Sequence, residues 1–194
     1  MENSVELTKT KEIMTKVINL LAGSGAGKST LAAGLFYKMK KLGLEVELIN
    51  EFVKKWAYDG RKVGSYDQVY IFAKQAKSEY DLYGKVDYII TDSPLILSPI
   101  YEKFYNNGLS TVETSAFLHL DKAKSNGIEH INFLVNRSKP FNPKGRFESE
   151  ETAKRVDVFV KDYLIENNIN YYSLTSKDMD DKLNEILTFL ALRG

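Results

Sequence analysis

The run Ala22-Gly23-Ser24-Gly25-Ala26-Gly27-Lys28-Ser29-Thr30 holds the densest chemistry in the chain. Glycines at 23, 25 and 27 let the backbone curl and come close to a ligand without a Cβ in the way. Curled N–H groups converge into an anion nest. A helix starting near Lys28 would add its free N–H groups and the positive end of its dipole. An apolar run, Val17 to Leu21, precedes the stretch, so the order is strand, glycine loop, helix, as a phosphate-binding loop needs. Gly23, Ser24, Gly25, Ala26, Gly27, Lys28, Ser29 and Thr30 are the expected cradle for a nucleoside triphosphate. Lys28 reaches the terminal phosphates and the Ser29 hydroxyl holds Mg²⁺. The first position is Ala22 where the strict pattern has Gly; a small residue is what that position needs.

Three further groups have chemistry to offer. Glu51 follows an alternating run, Leu44 to Ile49, and so stands past the C-terminal end of a second strand, the edge where ligands collect in open α/β sheets. Its carboxylate could take the proton of an acceptor hydroxyl, or serve as a first-turn Glu on a helix dipole. Asp92, in Thr91-Asp92-Ser93-Pro94, ends the apolar run Val86 to Ile90; it is a candidate Mg²⁺ ligand beside Ser29 and the second choice after Glu51 for proton acceptor, with a turn cap as the alternative. The stretch 136–147 carries Arg137, Lys139, Lys144 and Arg146 with two prolines and a glycine. It suits a lid, about residues 137–148, whose cations steady a moving phosphoryl group. Arg137 and Arg146 are the candidate catalytic cations there, and Lys139 a candidate phosphate contact. The turn Asp59-Gly60-Arg61-Lys62 reads as a solvated loop, with contact to an anionic acceptor as the alternative.

The elements that must position these groups follow from periodicity. Leu31, Leu35, Met39 and Leu42 give a helix over 29–42, closed by Lys38, Lys40, Lys41 and Gly43. A long helix over 66–83 is expected to bury Val69, Phe72, Ala73, Ala76, Tyr80 and Tyr83, with Tyr66 or Tyr70 free to line a pocket. Helices over 96–108 and 111–125, a strand over 131–135, a helix from Glu148 to about Asn167, a strand over 169–174 and a helix over 179–192 complete the pattern. His119 and His130 read as packed or surface histidines. Five strands alternating with helices give an α/β, doubly wound parallel sheet.

Composition narrows the class. The 194 residues suit one domain, read as 16–194 behind an N-terminal extension of residues 1–15. Hydrophobic content is 43% and charged content 27%, ordinary for a globular protein. A net charge of +1 gives no global basic field to draw in nucleic acid. The absence of cysteine excludes disulfides and thiolate metal sites. No apolar run is long enough to span a bilayer and the N-terminus lacks a signal-like apolar core, so a cytoplasmic protein with no membrane partner is expected.

The set Ala22–Ser29, Thr91-Asp92-Ser93-Pro94 and Arg137 to Arg146 resembles the P-loop kinases of the nucleoside and nucleotide kinase group. More narrowly it is similar to small phage-encoded kinases of the thymidylate kinase type, including those that phosphorylate 5-hydroxymethyluracil in viral DNA. The resemblance covers nearly the whole chain from Lys16 onward. It implies sheet order 2-3-1-4-5, ATP with Mg²⁺, a basic lid, and as acceptor a nucleoside, a nucleotide or a modified DNA base. One departure is that the acidic-Arg pair usual after the third strand is Asp92-Ser93 here. The alternative function is a P-loop ATPase acting as a partner-regulated switch with no small acceptor. A homodimer stays open.

Overall fold

The structure is a computed structural model that describes residues 15–64, 67–138 and 140–192. Lys139, Tyr66 and residues 1–14 of the expected extension lie outside the described residues. Thr15, assigned above to that extension, is fully buried. Its Oγ1 donates to the Val86 carbonyl at 2.7 Å and accepts from the Gly84 N–H at 2.9 Å, so the chain is already tied down before the first strand.

The sheet has five strands, β1 (Lys16–Leu21), β2 (Val46–Ile49), β3 (Tyr88–Thr91), β4 (Glu129–Leu134) and β5 (Tyr172–Ser173). Their order is β2-β3-β1-β4-β5 and every pairing is parallel, as the resemblance implied. The helices are α1 (Lys28–Lys41), α2 (Lys54–Tyr58), α3 (Asp67–Tyr80), α4 (Leu97–Tyr105), α5 (Glu113–Ser125), α6 (Glu150–Glu166) and α7 (Met179–Phe189).

β1 is central and apolar on both faces because helices cover both. Side chains alternate along it. Ile18 and Leu20 join Leu31, Leu35 and Met39 of α1 and Leu183 and Ile186 of α7 in one core. Leu21 packs on the other face with Ile100 of α4 and Val156, Val160 and Leu164 of α6. Val17 meets Ala123 of α5 in a third cluster. Each fully buried aliphatic side chain here contributes about 1.5–3 kcal/mol. α1 and α7 approach closely at Gly34, where an added Cβ would come within 3.0 Å of Leu183.

Four differences from the sequence expectation have physical causes. α3 buries Ile71, Gln75, Ala76 and Glu79, while Val69 and Tyr80 are exposed. Of the expected stripe, Ala76 is buried and Phe72 and Tyr83 are half-buried, but Ala73 is exposed too, because two polar side chains take inner positions; Gln75 donates to Thr91 Oγ1 at 2.9 Å and Glu79 Oε2 accepts from the Tyr83 hydroxyl at 3.1 Å. α6 begins at Glu150 rather than Glu148, because Ser149 is its N-cap, accepting from the Thr152 N–H at 3.2 Å. β5 is two residues long, since only Phe133–Leu134 of β4 reach it. Finally, Glu51 precedes α2 by three residues and is no first-turn helix residue.

Candidate active site

Parallel pairing puts the C-terminal ends of β1, β2, β3 and β4 on one edge, and the order reverses direction at β1, which opens a crevice there. The glycine loop, Glu51, Asp92 and the lid leave from those four ends in turn.

Different glycines of the loop serve different ends. Gly25 and Gly27 have φ of 74° and 97°, a left-handed backbone that suits glycine. Gly23 is needed for space: a Cβ there would lie 2.5 Å from the Ala153 carbonyl of α6. Ala22 is fully buried in the core, where a methyl group packs. Lys28 folds back over the loop and donates to the Ala22 and Gly23 carbonyls at 2.8 and 2.9 Å. Burial pushes its ammonium pKa down, against the pull of Glu51, Asp92, Asp157 and Glu148. Ser24 Oγ is buried and unpartnered. Ser29 is half-buried in the first turn of α1 and Thr30 is exposed.

Asp157 of α6 was not among the sequence candidates, yet it braces this loop. Its Oδ1 accepts from the Gly23 N–H at 2.6 Å. Its carboxylate also pairs with Arg137 Nε and, at 3.3 Å, Nη2, while Nη2 donates to the Ala153 carbonyl at 3.1 Å. Arg137 is therefore beside the loop as expected, but fastened to α6. The lid lies over the loop: a Cβ on Gly25 would sit 2.7 Å from the Phe141 ring, and one on Gly145 2.5 Å from Tyr58 of α2. The start of the lid is anchored by Lys182 of α7, which donates to the Asn136 carbonyl and Ser138 Oγ at 2.8 and 3.0 Å. Lys144 is exposed.

Across the crevice, Asp92 is buried and its Oδ1 accepts from the Glu51 N–H at 2.8 Å. That bond fixes where the chain leaves β2. Glu51 as a residue is half-buried, but its carboxyl end is enclosed. Burial pushes its pKa up; Lys28 opposes, Asp92 adds, and Arg146 of the lid opposes again. Arg146 Nε and Glu148 Oε2 are buried without partners, and Tyr105 donates to Glu148 Oε1 at 2.9 Å.

Lys28, Glu51 and Asp92 share a cavity of about 400 Å³ with Ser24, Gln68, Ser98, Tyr101, Tyr105 and Glu148. Glu102 also lines it, but its oxygens are consumed: despite burial, bonds from Ser110, Thr111 and Val112 hold its carboxyl below the usual range. Lys62, in the turn read above as a solvated loop or an acceptor contact, lines this cavity, and Arg61 stacks on Trp56. The structure thus brings together Gly23 to Ser29, Glu51, Asp92, Arg137 and Arg146. Lys139 lies outside the described residues. Glu148, expected inside a helix, faces the cavity instead. The Asp157, Tyr101 and Tyr105 contributions had no local signal, since each is a lone residue in an ordinary helical pattern. His119 and His130 stand apart from the site; burial lowers both, His130 to about 4.

The fold has solved counterparts. The chain is similar to deoxyadenosine kinase from M. mycoides, in a structure with products dCMP and a flexible dCDP bound. The TM-score is 0.57 at 17% identity, covering 90% of this chain and 98% of that one. A second structure of that enzyme, with bound dATP, gives 0.56 at 18% identity with the same coverage. At such identities the likeness establishes the fold. No curated protein matches the chain. Residues 17–182 match the family model described as an AAA domain, and with the glycine loop and sheet order in place the chain belongs to that family.

Proposed function

We propose that the protein is an ATP-dependent phosphotransferase that moves the γ-phosphoryl group onto a hydroxyl or phosphate of a nucleotide-type acceptor, the sequence resemblance pointing to a phage-type nucleotide kinase or a kinase of 5-hydroxymethyluracil in viral DNA. The observation that carries this reading is the single cavity that holds both Lys28 and Glu51. A hydrolytic switch needs no enclosed acceptor space beside its lysine. The fold likeness to a deoxyadenosine kinase supports the same class.

In the transfer, the acceptor oxygen bonds to the γ-phosphorus, the bond from that phosphorus to the β–γ bridging oxygen breaks, ADP leaves, and the hydroxyl proton passes to Glu51. A carboxylate with a raised pKa is a better proton acceptor than an ordinary one. Lys28, the loop N–H groups and the N-terminus of α1 hold the phosphates, and the Arg146 charge acts on Glu51. Phe141 and the rest of the lid exclude water. Ser29 Oγ and Asp92 are hard oxygen donors of the kind Mg²⁺ takes. No cluster of three or more acidic, His or Cys side chains among the described residues could hold a metal alone, so phosphate and water would complete its shell. When bound, Mg²⁺ supplies charge neutralisation at the β- and γ-oxygens.

The test is labelled ATP with a panel of acceptors: deoxynucleosides, deoxynucleoside monophosphates and an oligonucleotide carrying 5-hydroxymethyluracil. Transfer to a hydroxyl or a phosphate is expected. ATP turnover that needs no acceptor, and rises with protein concentration, would overturn the reading in favour of a partner-regulated switch.

A further inference from the structure

A line of buried polar side chains runs inward from the cavity, through Asp92 and Thr91 to Gln75 of α3. The Gln75 amide donates from Nε2 to Thr91 Oγ1 at 2.9 Å. The same oxygen accepts from the Ser93 N–H at 3.1 Å, so both lone pairs of the hydroxyl are filled. That second bond closes a turn on its own backbone two residues on, and the residue inside the turn is Asp92. Asp92 Oδ1 then accepts from the Glu51 N–H at 2.8 Å. Residues of α3, of the end of β3 and of the exit from β2 thus form one chain of hydrogen bonds, and it ends at the proposed proton acceptor.

We infer that Gln75 is a positioning residue: through Thr91 it fixes the turn that aims Asp92 at Glu51, and so sets where the proton acceptor stands against the phosphates. The inference rests on the phosphotransfer reading, whose residues it positions. Three arguments favour it over plain packing. An amide and a hydroxyl paired in the interior gain little over two apolar side chains of the same shape, so stability alone gives no reason for the pair. β3 is held on both edges, with Thr91 in register with Asn19 of β1 and Ile49 of β2; the strand does not need the Gln75 bond, and what that bond governs is the turn beyond it. Lastly, α3 lines the cavity itself through Gln68 and Ile71, two turns and one turn before Gln75, so the helix that bounds the acceptor space also holds the Asp92 turn.

Substitutions at the two ends of the first bond separate positioning from packing. Thr91→Val keeps the shape and removes the oxygen, Thr91→Ser keeps the oxygen and removes a methyl group, and Gln75→Leu removes the amide. Single-turnover transfer from ATP is expected to fall about 10- to 100-fold in Thr91→Val and in Gln75→Leu, with binding of metal-free ATP and the acceptor KM unchanged. Thr91→Ser keeps the rate although it loses Tm, so rate and stability part company. The double variant of Gln75→Leu with Thr91→Val is no slower than the slower single one, because both break the same chain. Backbone amide exchange on the full chain reads the positioning without any transfer. The Glu51 and Ser93 N–H groups exchange about tenfold faster in Gln75→Leu, while those of β4 keep their rates. Thr91→Val as fast as the wild type overturns the inference. So do Glu51 and Ser93 amides that keep their rates or speed only in step with β4, which is the mark of a merely structural loss. A wild-type protein that transfers to no acceptor defeats the phosphotransfer reading alone, and amide exchange then still decides the Gln75 assignment.

Discussion

Glu79→Gln is expected to make the protein more stable as pH rises, by a margin read directly from the site of Glu79. The carboxyl is fully buried on the inner face of α3. Burial pushes its pKa from 4.5 to about 8, with Tyr83 and Gln75 hydrogen bonds opposing, and Oε1 has no partner. An acid whose pKa is higher in the folded state binds more protons folded than unfolded between those two values. Stability is therefore complete below about pH 4.5 and falls as pH rises through about 8. The cost grows by at most 1.36 kcal/mol per unit, which comes to about 3 kcal/mol between about pH 5.5 and about pH 8. His130 lies beside Tyr83, its Nε2 3.4 Å from the hydroxyl, and acts with the opposite sign. Burial lowers it from 6.5 to about 4, so its contribution is lost as pH falls through that range. The two offset each other in mildly acidic solution, and the wild-type protein loses stability mainly above neutrality. Gln keeps the shape and cannot ionise. Urea unfolding at three pH values measures the difference: the gap between variant and wild type widens by about 3 kcal/mol over that span. Parallel stability profiles for the two proteins would refute the argument that this carboxyl is held protonated by its surroundings.

Three further outcomes follow from the site. Gly23→Ala places a Cβ 2.5 Å from the Ala153 carbonyl; overpacking of this kind costs about 1–3 kcal/mol, seen as a fall in Tm of about 2–4 °C per kcal/mol, together with weaker ATP binding. An unchanged Tm and ATP affinity would show that α6 does not press on the loop. Asp157→Asn keeps an acceptor for the Gly23 N–H but leaves the largely buried Arg137 without its counter-charge, so the variant is destabilised by about 1–3 kcal/mol and gains more Tm from ATP than the wild type does; an equal gain would place Arg137 outside the phosphate site. Glu51→Gln lowers phosphotransfer by about 10²–10⁴-fold with ATP affinity nearly unchanged, measured as single-turnover rate and equilibrium binding; a parallel loss of both would return Glu51 to a structural role.

The parts of the molecule legible in the sequence are those fixed by short-range chemistry. The glycine loop, Glu51 after β2, Asp92 after β3 and the cationic stretch after β4 are each readable because a strand end and its first loop residues are adjacent in the chain. Strand order needed more than periodicity and came from the resemblance, which the parallel registers bear out. Long-range contacts were not readable. Asp157 meets Gly23 across 134 residues, and nothing in Val156-Asp157-Val158 marks it off from any helix with a polar position. α3 misled in part for a different reason: its inner face is half polar, with Gln75 and Glu79 buried on partners supplied by β3 and by Tyr83, so the packed stripe holds Ala76 of the apolar one but leaves Val69, Ala73 and Tyr80 exposed.

Lys28 and Arg137, beside the loop, are both satisfied by the protein's own acceptors, and this says how the site can tolerate its charge. Four carboxylates, Glu51, Asp92, Asp157 and Glu148, act on Lys28. A triphosphate brought into the same crevice adds negative charge to a region already rich in it. Lys28 rests on the carbonyls of Ala22 and Gly23, and Arg137 on Asp157 and the Ala153 carbonyl, each next to the backbone that would cradle the phosphates. Exchanging a neutral carbonyl for a phosphate oxygen strengthens the bond Lys28 makes, because both partners are then charged. Arg137 has a carboxylate to leave, so its exchange gains less. On this reasoning Lys28 would move to the phosphates first, and Arg137 would keep Asp157 neutralised so that the carboxylate would not repel an incoming triphosphate at Gly23.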